Sequence, residues 1–241
     1  MATTHSVSRR VNDRRLYIAA AILVPIIVLI GFGPTYYFKP FITGPVVPSR
    51  LVHLHGIIMS AWVLLFVIQV TLVAKRRTKT HQKLGVLGSV LAALVLVVGT
   101  LTALNAAARG ATPFAQPLAF LIIPLGDMVA FASLVGAAFY FRRRPDVHKR
   151  LMLLAAISIL TPAIARIPLS FIQTYGPLAF FGLTDVLLIA CIAFDTLKHR
   201  RLHPVFLWGG IFIILFQPVR LLFAGTDLWM RTAAALVSLV N

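Results

Sequence analysis

The amino-acid sequence predicts an all-α protein: an integral membrane bundle of seven transmembrane helices, forming a single domain over residues 1–241. The composition supports this, since 59% of the residues are hydrophobic and only 12% are charged, against about 25% charged in an ordinary soluble domain. Apolar runs of about 20 residues, each able to cross a hydrocarbon core about 30 Å thick, recur along the chain. Basic residues stand in short clusters between these runs. We therefore expect the lipid bilayer to surround this protein.

Seven apolar segments are expected to cross the bilayer. They are 16–38, 51–74, 84–107, 116–141, 151–174, 177–197 and 204–224. The first is expected to be retained, because it is too long for a signal-peptide core and lacks a small-residue cleavage site before Pro34. The tail 225–241 is half apolar and too short to span, so the sequence leaves an interfacial helix and disorder as alternatives there.

The net charge of +17 follows the connections between segments and predicts an orientation. Basic clusters precede the first segment and link segments two and three, four and five, and six and seven. Their members include Arg9, Arg10, Arg14, Arg15, Lys75, Arg76, Arg77, Arg142, Arg143, Arg144, Lys149, Arg150, Lys198, Arg200 and Arg201. The positive-inside rule then places the N-terminus in the cytoplasm and, with an odd number of helices, the C-terminus outside. Because the charge follows topology, we expect no nucleic-acid partner.

Familiar catalytic motifs are missing from the chain. It contains no glutamate, no HExxH, no GxSxG and no P-loop. Its single cysteine, Cys191, lies in an apolar run, so the sequence offers no disulfide framework and no cysteine-based metal site. Whether the protein is an enzyme stays open from the sequence.

The charged side chains deep inside the predicted segments are Asp127, Arg166, Asp185 and Arg220. A charge near the bilayer centre costs at least about 2.5 kcal/mol on insertion scales, so such residues are functional candidates. At a rise of 1.5 Å per residue they lie, together with His55, within a band of about 9 Å in the outer half of the core. We expect the two aspartates and two arginines to neutralise one another, with carbonyls freed by prolines accepting the spare guanidinium donors.

The stretch "SRLVHLHGIIMSAW" adds two histidines near the start of the second segment. At 100° per residue His55 shares a helix face with Trp62 and Gln69, whereas His53 points about 160° away. The sequence thus predicts one polar pocket that binds or moves a polar or anionic small molecule. Its predicted lining is His55, Trp62, Gln69, Asp127, Arg166, Asp185 and Arg220. Zinc would need ligands such as His55 and the aspartates, but two arginines nearby repel a cation, so we expect no metal.

Two alternatives to this pocket remain. His81 in "KTHQKLG" and His148 in "DVHKRLM" stand at matching depths on different helices, where they could hold the iron of haem b, with nearby arginines on the propionates. This would make the protein a haem- or quinone-associated redox protein, although histidine is also comfortable at any charged interface. The third hypothesis is a non-catalytic accessory subunit in which the buried charges only fix helix order.

The run "HLHGIIMSAWVLLFVIQVTLVAKRRTKTHQKLG", followed by "LGD", "RRRPDVHKRLMLLA", "AIAR", "HPVFLWGG" and "QPVR", resembles a family of bacterial multi-pass membrane proteins of unknown function. The resemblance covers residues 16 to 230 and implies the bacterial cytoplasmic (inner) membrane, but no catalytic residue. A remoter likeness, through histidines on successive helices, is to two-haem cytochrome b proteins. Here the outer side has no histidine on a second helix, which argues against an outer haem.

Overall fold

A computed structural model describes residues 2–42 and 49–240, and the side chains from residue 14 onward within those ranges. Arg9 and Arg10 of the first basic cluster, and the end of the tail at Asn241, lie outside the described side chains. Within the described ranges the chain forms α-helices and one π-helical turn, and no strand. The prediction of an all-α protein is therefore confirmed for this part of the chain.

The helices follow one another with short connections. In chain order they are α1 (Ala2–Phe32), which continues into the π-helical turn Gly33–Tyr37, α2 (Lys39–Ile42), α3 (Arg50–Ala74), α4 (Thr78–Ala108), α5 (Pro117–Phe120), α6 (Ile122–Tyr140), α7 (Pro145–Ser158), α8 (Thr161–Ile164), α9 (Ser170–Tyr175), α10 (Pro177–His199), α11 (Pro204–Phe223) and α12 (Asp227–Ser238).

Seven stretches of the described chain are long and apolar enough to cross a membrane, which confirms the predicted number. They are Arg14–Tyr37, Arg50–Ala74, Thr78–Ala108, Pro117–Tyr140, Pro145–Ile164, Pro177–His199 and Pro204–Phe223. The protein is therefore a multi-pass membrane protein by the length and composition of its helices. We call the end of the bundle that carries the connections at 75–77, 142–144 and 200–203 the basic end, and the other end the opposite end.

The fifth span differs from the prediction of one helix over 151–174. It begins earlier, at Pro145, and breaks into α7 and α8, after which α9 forms separately. Pro162 and Pro168 explain the breaks, because proline lacks the backbone donor and disfavours a helical residue before it. The broken backbone lies toward the opposite end of the bundle, beside Arg166.

The fifth span is also the centre of the bundle. In the most apolar 18 residues of this span 72% are buried, against 50% or less in the same stretch of each of the six other spans. Helix α7 packs on α6, α10 and α11, while α3 and α4 form a hairpin that contacts α1 and α6. The residues of α7 from Leu153 to Ser158 are all buried. The side chains of this part of α7 are consequently surrounded by protein rather than lipid.

The tail folds as a helix, α12, which resolves the alternative between a helix and disorder for its described part. Thr226 caps it, since its Oγ1 accepts a hydrogen bond of 3.3 Å from the amide of Trp229. The indole Nε1 of Trp229 donates to the carbonyl of Leu118 at 2.9 Å. Ala233 and Val237 are buried against α4 and α5. The tail is thus packed on the bundle at the opposite end.

Candidate functional site

Arg220 and Asp127 form a buried ion pair between α11 and α6. The Nη1 of Arg220 lies 2.7 Å from Oδ1 of Asp127, and the two side chains are only 5% and 2% exposed. The same Nη1 donates to the carbonyl of Ile123 at 3.0 Å. The guanidinium carbon lies 4.6 Å from the ring centroid of Phe181 and 5.6 Å from that of Phe216. Aromatic faces and a carboxylate therefore enclose this arginine.

The pair leaves two polar atoms unmatched. Oδ2 of Asp127 and Nε of Arg220 are buried and have no hydrogen-bond partner among the described residues. Arg220 also lies directly over Gly126, where an added Cβ would come within 2.6 Å of Nη1. The site is closed by its own side chains, an arrangement that holds two helices together.

Asp185 is not paired with an arginine. It accepts a hydrogen bond of 3.0 Å from Nε2 of Gln217, one turn before Arg220 on α11. Asp185 is half-buried, whereas Gln217 is 5% exposed. Of the two aspartate–arginine pairs expected from depth, the structure thus forms one and replaces the other by an amide–carboxylate contact. The sequence does not predict a role for Gln217, because the buried site was predicted from charged residues and an amide is uncharged.

Arg166 lies in the broken stretch after α8 and has a different environment. Its Nη1 donates to the carbonyl of Pro162 at 2.8 Å, and its guanidinium carbon lies 4.8 Å from the ring centroid of Phe32. The side chain is exposed, and no carboxylate of the described residues lies within ion-pair distance of it. It lies within electrostatic range of the His55 ring. The charged side chain that acts on His55 is therefore a cation.

The two histidines of α3 separate as helical geometry requires. His53 is exposed and its Nδ1 lies 3.4 Å from the hydroxyl of Tyr36. His55 is half-buried, and its Nδ1 is buried with no hydrogen-bond partner among the described residues. Of the polar residues expected beside it, Trp62 is 4% exposed and packs edge-on against Phe131, with ring centroids 5.0 Å apart. Trp62 thus belongs to the apolar core.

Gln69 does not belong with His55. Fourteen positions along one helix separate them by about 21 Å, and the Gln69 side chain lies beside Gly85 of α4. The Gln69 backbone interacts instead with the ring of His81. The expectation of one pocket lined by seven residues is therefore corrected, because a shared helix face does not imply a shared depth. Asp127 and Arg220 are in contact and Arg166 lies near His55, whereas Trp62 and Gln69 lie elsewhere in the bundle.

His81 and His148 meet near the basic end. Their ring centroids are 6.2 Å apart and their planes make an angle of 75°. His81 lies in the first turn of α4 and His148 in the first turn of α7, and both side chains are half-buried. The N-terminal turns of the two helices bring these rings together from different parts of the chain.

Hydrogen bonding fixes the tautomer of His148. Its Nδ1 lies 2.8 Å from the carbonyl oxygen of Ala138, and a carbonyl only accepts, so Nδ1 carries the proton. In the neutral ring Nε2 then keeps its lone pair. On His81 it is Nδ1 that is buried without a hydrogen-bond partner among the described residues. Each ring therefore has a nitrogen suited to bind a metal.

A second polar cluster at the basic end was missed by the sequence analysis. Arg150, counted there among the loop cations, is buried and donates to both carboxylate oxygens of Asp195 through Nε at 3.1 Å and Nη2 at 2.9 Å. Its Nη1 donates to the Asp146 carbonyl at 2.9 Å. The available signal was Asp195 itself, one of only six acidic residues, placed in the last turns of an apolar helix.

Two histidines flank this pair. Nδ1 of His199 donates to the Asp195 carbonyl at 2.8 Å, and Nε2 of His203 lies 3.6 Å from Oδ2 of Asp146. His203 caps α11, since its Nδ1 accepts from the amide of Val205 at 3.2 Å. Burial, and then the nearby Arg150, lower the pKa of His203, an effect that the Asp146 and Asp195 carboxylates oppose.

The described residues contain no group of three or more histidine, cysteine, aspartate or glutamate side chains placed to hold a metal ion. His55, Asp127 and Asp185 consequently do not form a three-ligand set, and His81 and His148 stand as a pair.

No family model matches the chain, and neither the comparison with curated proteins nor that with solved structures finds a match.

Proposed function

We propose that this chain is a haem-binding membrane protein in which His81 and His148 would hold the iron. The observation that carries the proposal is the 6.2 Å between their ring centroids. With metal–nitrogen distances of about 2 Å, the ring centroids of two histidines on opposite sides of one metal lie roughly 6 Å apart. The two helices therefore hold the rings at a separation that suits an iron between them.

The hydrogen bonds around the pair support the same proposal. Metal-ligating histidines usually donate their second ring nitrogen to a carbonyl or carboxylate, which fixes the ring and raises its basicity. His148 has this arrangement through Ala138, and the Nδ1 of His81 is buried without a hydrogen-bond partner among the described residues. An unmatched buried polar atom is costly in an apolar bundle. Binding a metal would remove that cost.

The number of ligands favours haem over a bare ion. A structural zinc site needs four protein ligands and a catalytic one needs three, whereas haem brings its own equatorial nitrogens and takes only axial ligands from the protein. Lys75, Arg76 and Arg77 follow α3 at the same end and would be the cations available to the haem propionates. A haem held by both histidines would supply one-electron transfer, which we propose as its role.

An absorption spectrum tests the proposal. We expect protein expressed with haem supplied and purified in detergent to show a Soret band, and His81→Ala and His148→Ala each to lose most of it. His53→Ala is the matched control, because His53 is exposed at the opposite end. Colourless wild-type protein, or equal loss of colour in the control, would overturn the assignment. Thermal unfolding of each variant separates loss of haem from loss of fold.

A second candidate function rests on Arg166 and His55. An exposed guanidinium without a carboxylate partner among the described residues, next to an imidazole whose Nδ1 is unmatched, is suited to bind a small anion. This narrows the predicted small-molecule pocket to two of its seven residues. We expect small carboxylates such as acetate and succinate to raise the melting temperature of the wild type but not of Arg166→Gln. Arg109→Gln is the control, and an unchanged response in Arg166→Gln would exclude the site.

We also propose that the basic end faces the bacterial cytoplasm, at the inner membrane. The proposal rests on the positive-inside rule and on the three basic connections at that end. Single cysteines at Arg143→Cys and Arg109→Cys, in a Cys191→Ala background, test it in intact cells. A membrane-impermeant maleimide should label position 109 but not 143. Labelling of 143 but not 109 would show that the basic end faces the outside of the cell.

A further inference from the structure

A polar cavity opens at the basic end between α7, α10 and α11. Its volume is about 160 Å³. Each residue that lines the cavity carries a charged group or an imidazole ring. They are Asp146, Lys149, Arg150, Asp195, His199, Arg201 and His203. The predicted pocket and the histidine pair at 81 and 148 contribute no residue to this lining, so the cavity is separate from both.

The base of the cavity is rigid. Arg150 and Asp195 are 4% and 3% exposed and are joined by hydrogen bonds to both carboxylate oxygens. The guanidinium carbon of Arg150 also lies 5.7 Å from the ring centroid of Phe206. Such a bidentate pair is geometrically fixed and close to neutral as a unit. It forms a preorganised polar surface in a bundle that is otherwise apolar.

The rest of the lining is cationic. Once the Arg150–Asp195 pair is set aside, the lining holds two cations, Lys149 and Arg201, and one carboxylate, that of Asp146, whose side chain is 64% exposed. His199 and His203 add ring nitrogens that donate or become cationic on protonation. The cavity therefore attracts anions.

We propose that this cavity binds a phosphate group. Arginine and lysine are the side chains that recognise phosphate in proteins, arginine through paired donors and lysine as a point charge. An engineered cavity of about 150 Å³ holds a benzene molecule, so 160 Å³ accommodates a phosphate group, which is no larger. The spans that form the cavity begin or end at Pro145, His199 and Pro204, so it lies where the head groups of the bilayer are expected. The phosphate belongs either to a lipid head group or to a free phosphate compound.

Two binding measurements on the full chain in detergent distinguish these sources. Calorimetry with inorganic phosphate tests the free anion, and native mass spectrometry with phosphatidylglycerol tests the head group. We expect saturable binding in at least one arm. Because a charge-assisted hydrogen bond to phosphate is stronger than a neutral one, we expect Arg201→Gln to weaken binding at least about tenfold.

Arg143→Gln is the matched control, since Arg143 is an exposed cation of the same end outside the cavity lining. Lys149→Gln provides a second cavity variant, and circular dichroism checks that each variant folds. If inorganic phosphate binds and Arg201→Gln weakens that binding, the ligand is a free phosphate compound. If only phosphatidylglycerol binds and Arg201→Gln weakens that binding, the ligand is a lipid head group. Absence of binding in both arms, or equal weakening in Arg143→Gln, overturns the proposal. None of these outcomes depends on whether the protein binds haem.

Discussion

Arg220 and Asp127 are joined across 93 positions of sequence by a 2.7 Å hydrogen bond between Nη1 and Oδ1. The pair links α11 to α6 in the half of the bundle away from the basic end. Nη1 of Arg220 donates both to Oδ1 of Asp127 and to the carbonyl of Ile123, and both acceptors belong to α6. The position of α11 against α6 therefore depends on this arginine.

We expect removal of one partner to be far more damaging than removal of both. Arg220→Met leaves Asp127 buried without its cation, and breaking a buried ion pair in this way costs about 3–5 kcal/mol. Replacing both residues, as Asp127→Leu with Arg220→Met, should recover most of that loss, because apolar side chains of similar volume substitute for buried pairs at little cost. Equilibrium unfolding in mixed micelles measures both. A single variant as stable as the wild type would contradict the argument.

Gly126 and Gly136 make a matched pair of substitutions within α6. A Cβ at Gly126 would lie 2.6 Å from Nη1 and 2.7 Å from Cδ of Arg220, whereas nothing lies within 4 Å of a Cβ at Gly136. We expect Gly126→Ala to destabilise the protein by about 1–3 kcal/mol through overpacking. Gly136→Ala should instead stabilise it by up to about 1 kcal/mol, because alanine loses less backbone entropy in a helix. Melting temperatures that move in the same direction would contradict this contrast.

Helix length, hydropathy and charge were readable from the sequence because each depends on one segment at a time. The seven spans follow from apolar length alone, and helical periodicity also separates His53 from His55. The partners of buried charges were not readable, because they depend on which helices are neighbours and how each is rotated. Depth arithmetic predicts Asp127 and Arg220 within one band of about 9 Å, yet gives no reason for Asp185 to contact Gln217 instead of Arg166.

Local context also hid residues at the basic end. Arg150 follows a run of cations and was assigned to a loop, but α7 begins at Pro145 and turns it inward. Gln69 was placed with His55 because a helix face repeats along the whole helix, while a site has one depth. His81 and His148 were matched by position relative to the predicted helix starts, and the structure brings their rings to 6.2 Å.

The indole of Trp229 provides a test of how α12 is attached. Its Nε1 donates to the carbonyl of Leu118 at 2.9 Å, which satisfies a backbone acceptor of α5. Trp229→Phe keeps an aromatic ring but removes the donor, so we expect a loss of about 1–2 kcal/mol. Hydrogen exchange should show faster opening of residues 227–238 while α7 stays protected. Leu228→Ala is the control, since Leu228 is 70% exposed; equal acceleration there would exclude the hydrogen bond as the cause.

His203 predicts a pH dependence of stability. Its pKa is lowered, chiefly by burial and then by Arg150, against the opposing carboxylates of Asp146 and Asp195. The unfolded chain therefore takes up a proton at higher pH than the folded chain does. The contribution of His203 to stability is complete above its ordinary pKa of about 6.5 and declines as the pH falls through that value toward the lowered one.

The cap of α11 gives this dependence a structural cause. Nδ1 of His203 accepts from the Val205 amide, and protonation of that nitrogen removes the acceptor. His203→Asn keeps an N-cap acceptor but does not titrate, so we expect its melting temperature to fall less than that of the wild type between about pH 7 and pH 5. The measurement is made in a phosphate-free buffer, so that occupancy of the basic-end cavity stays constant. Parallel curves for the two proteins would show that His203 does not carry the effect.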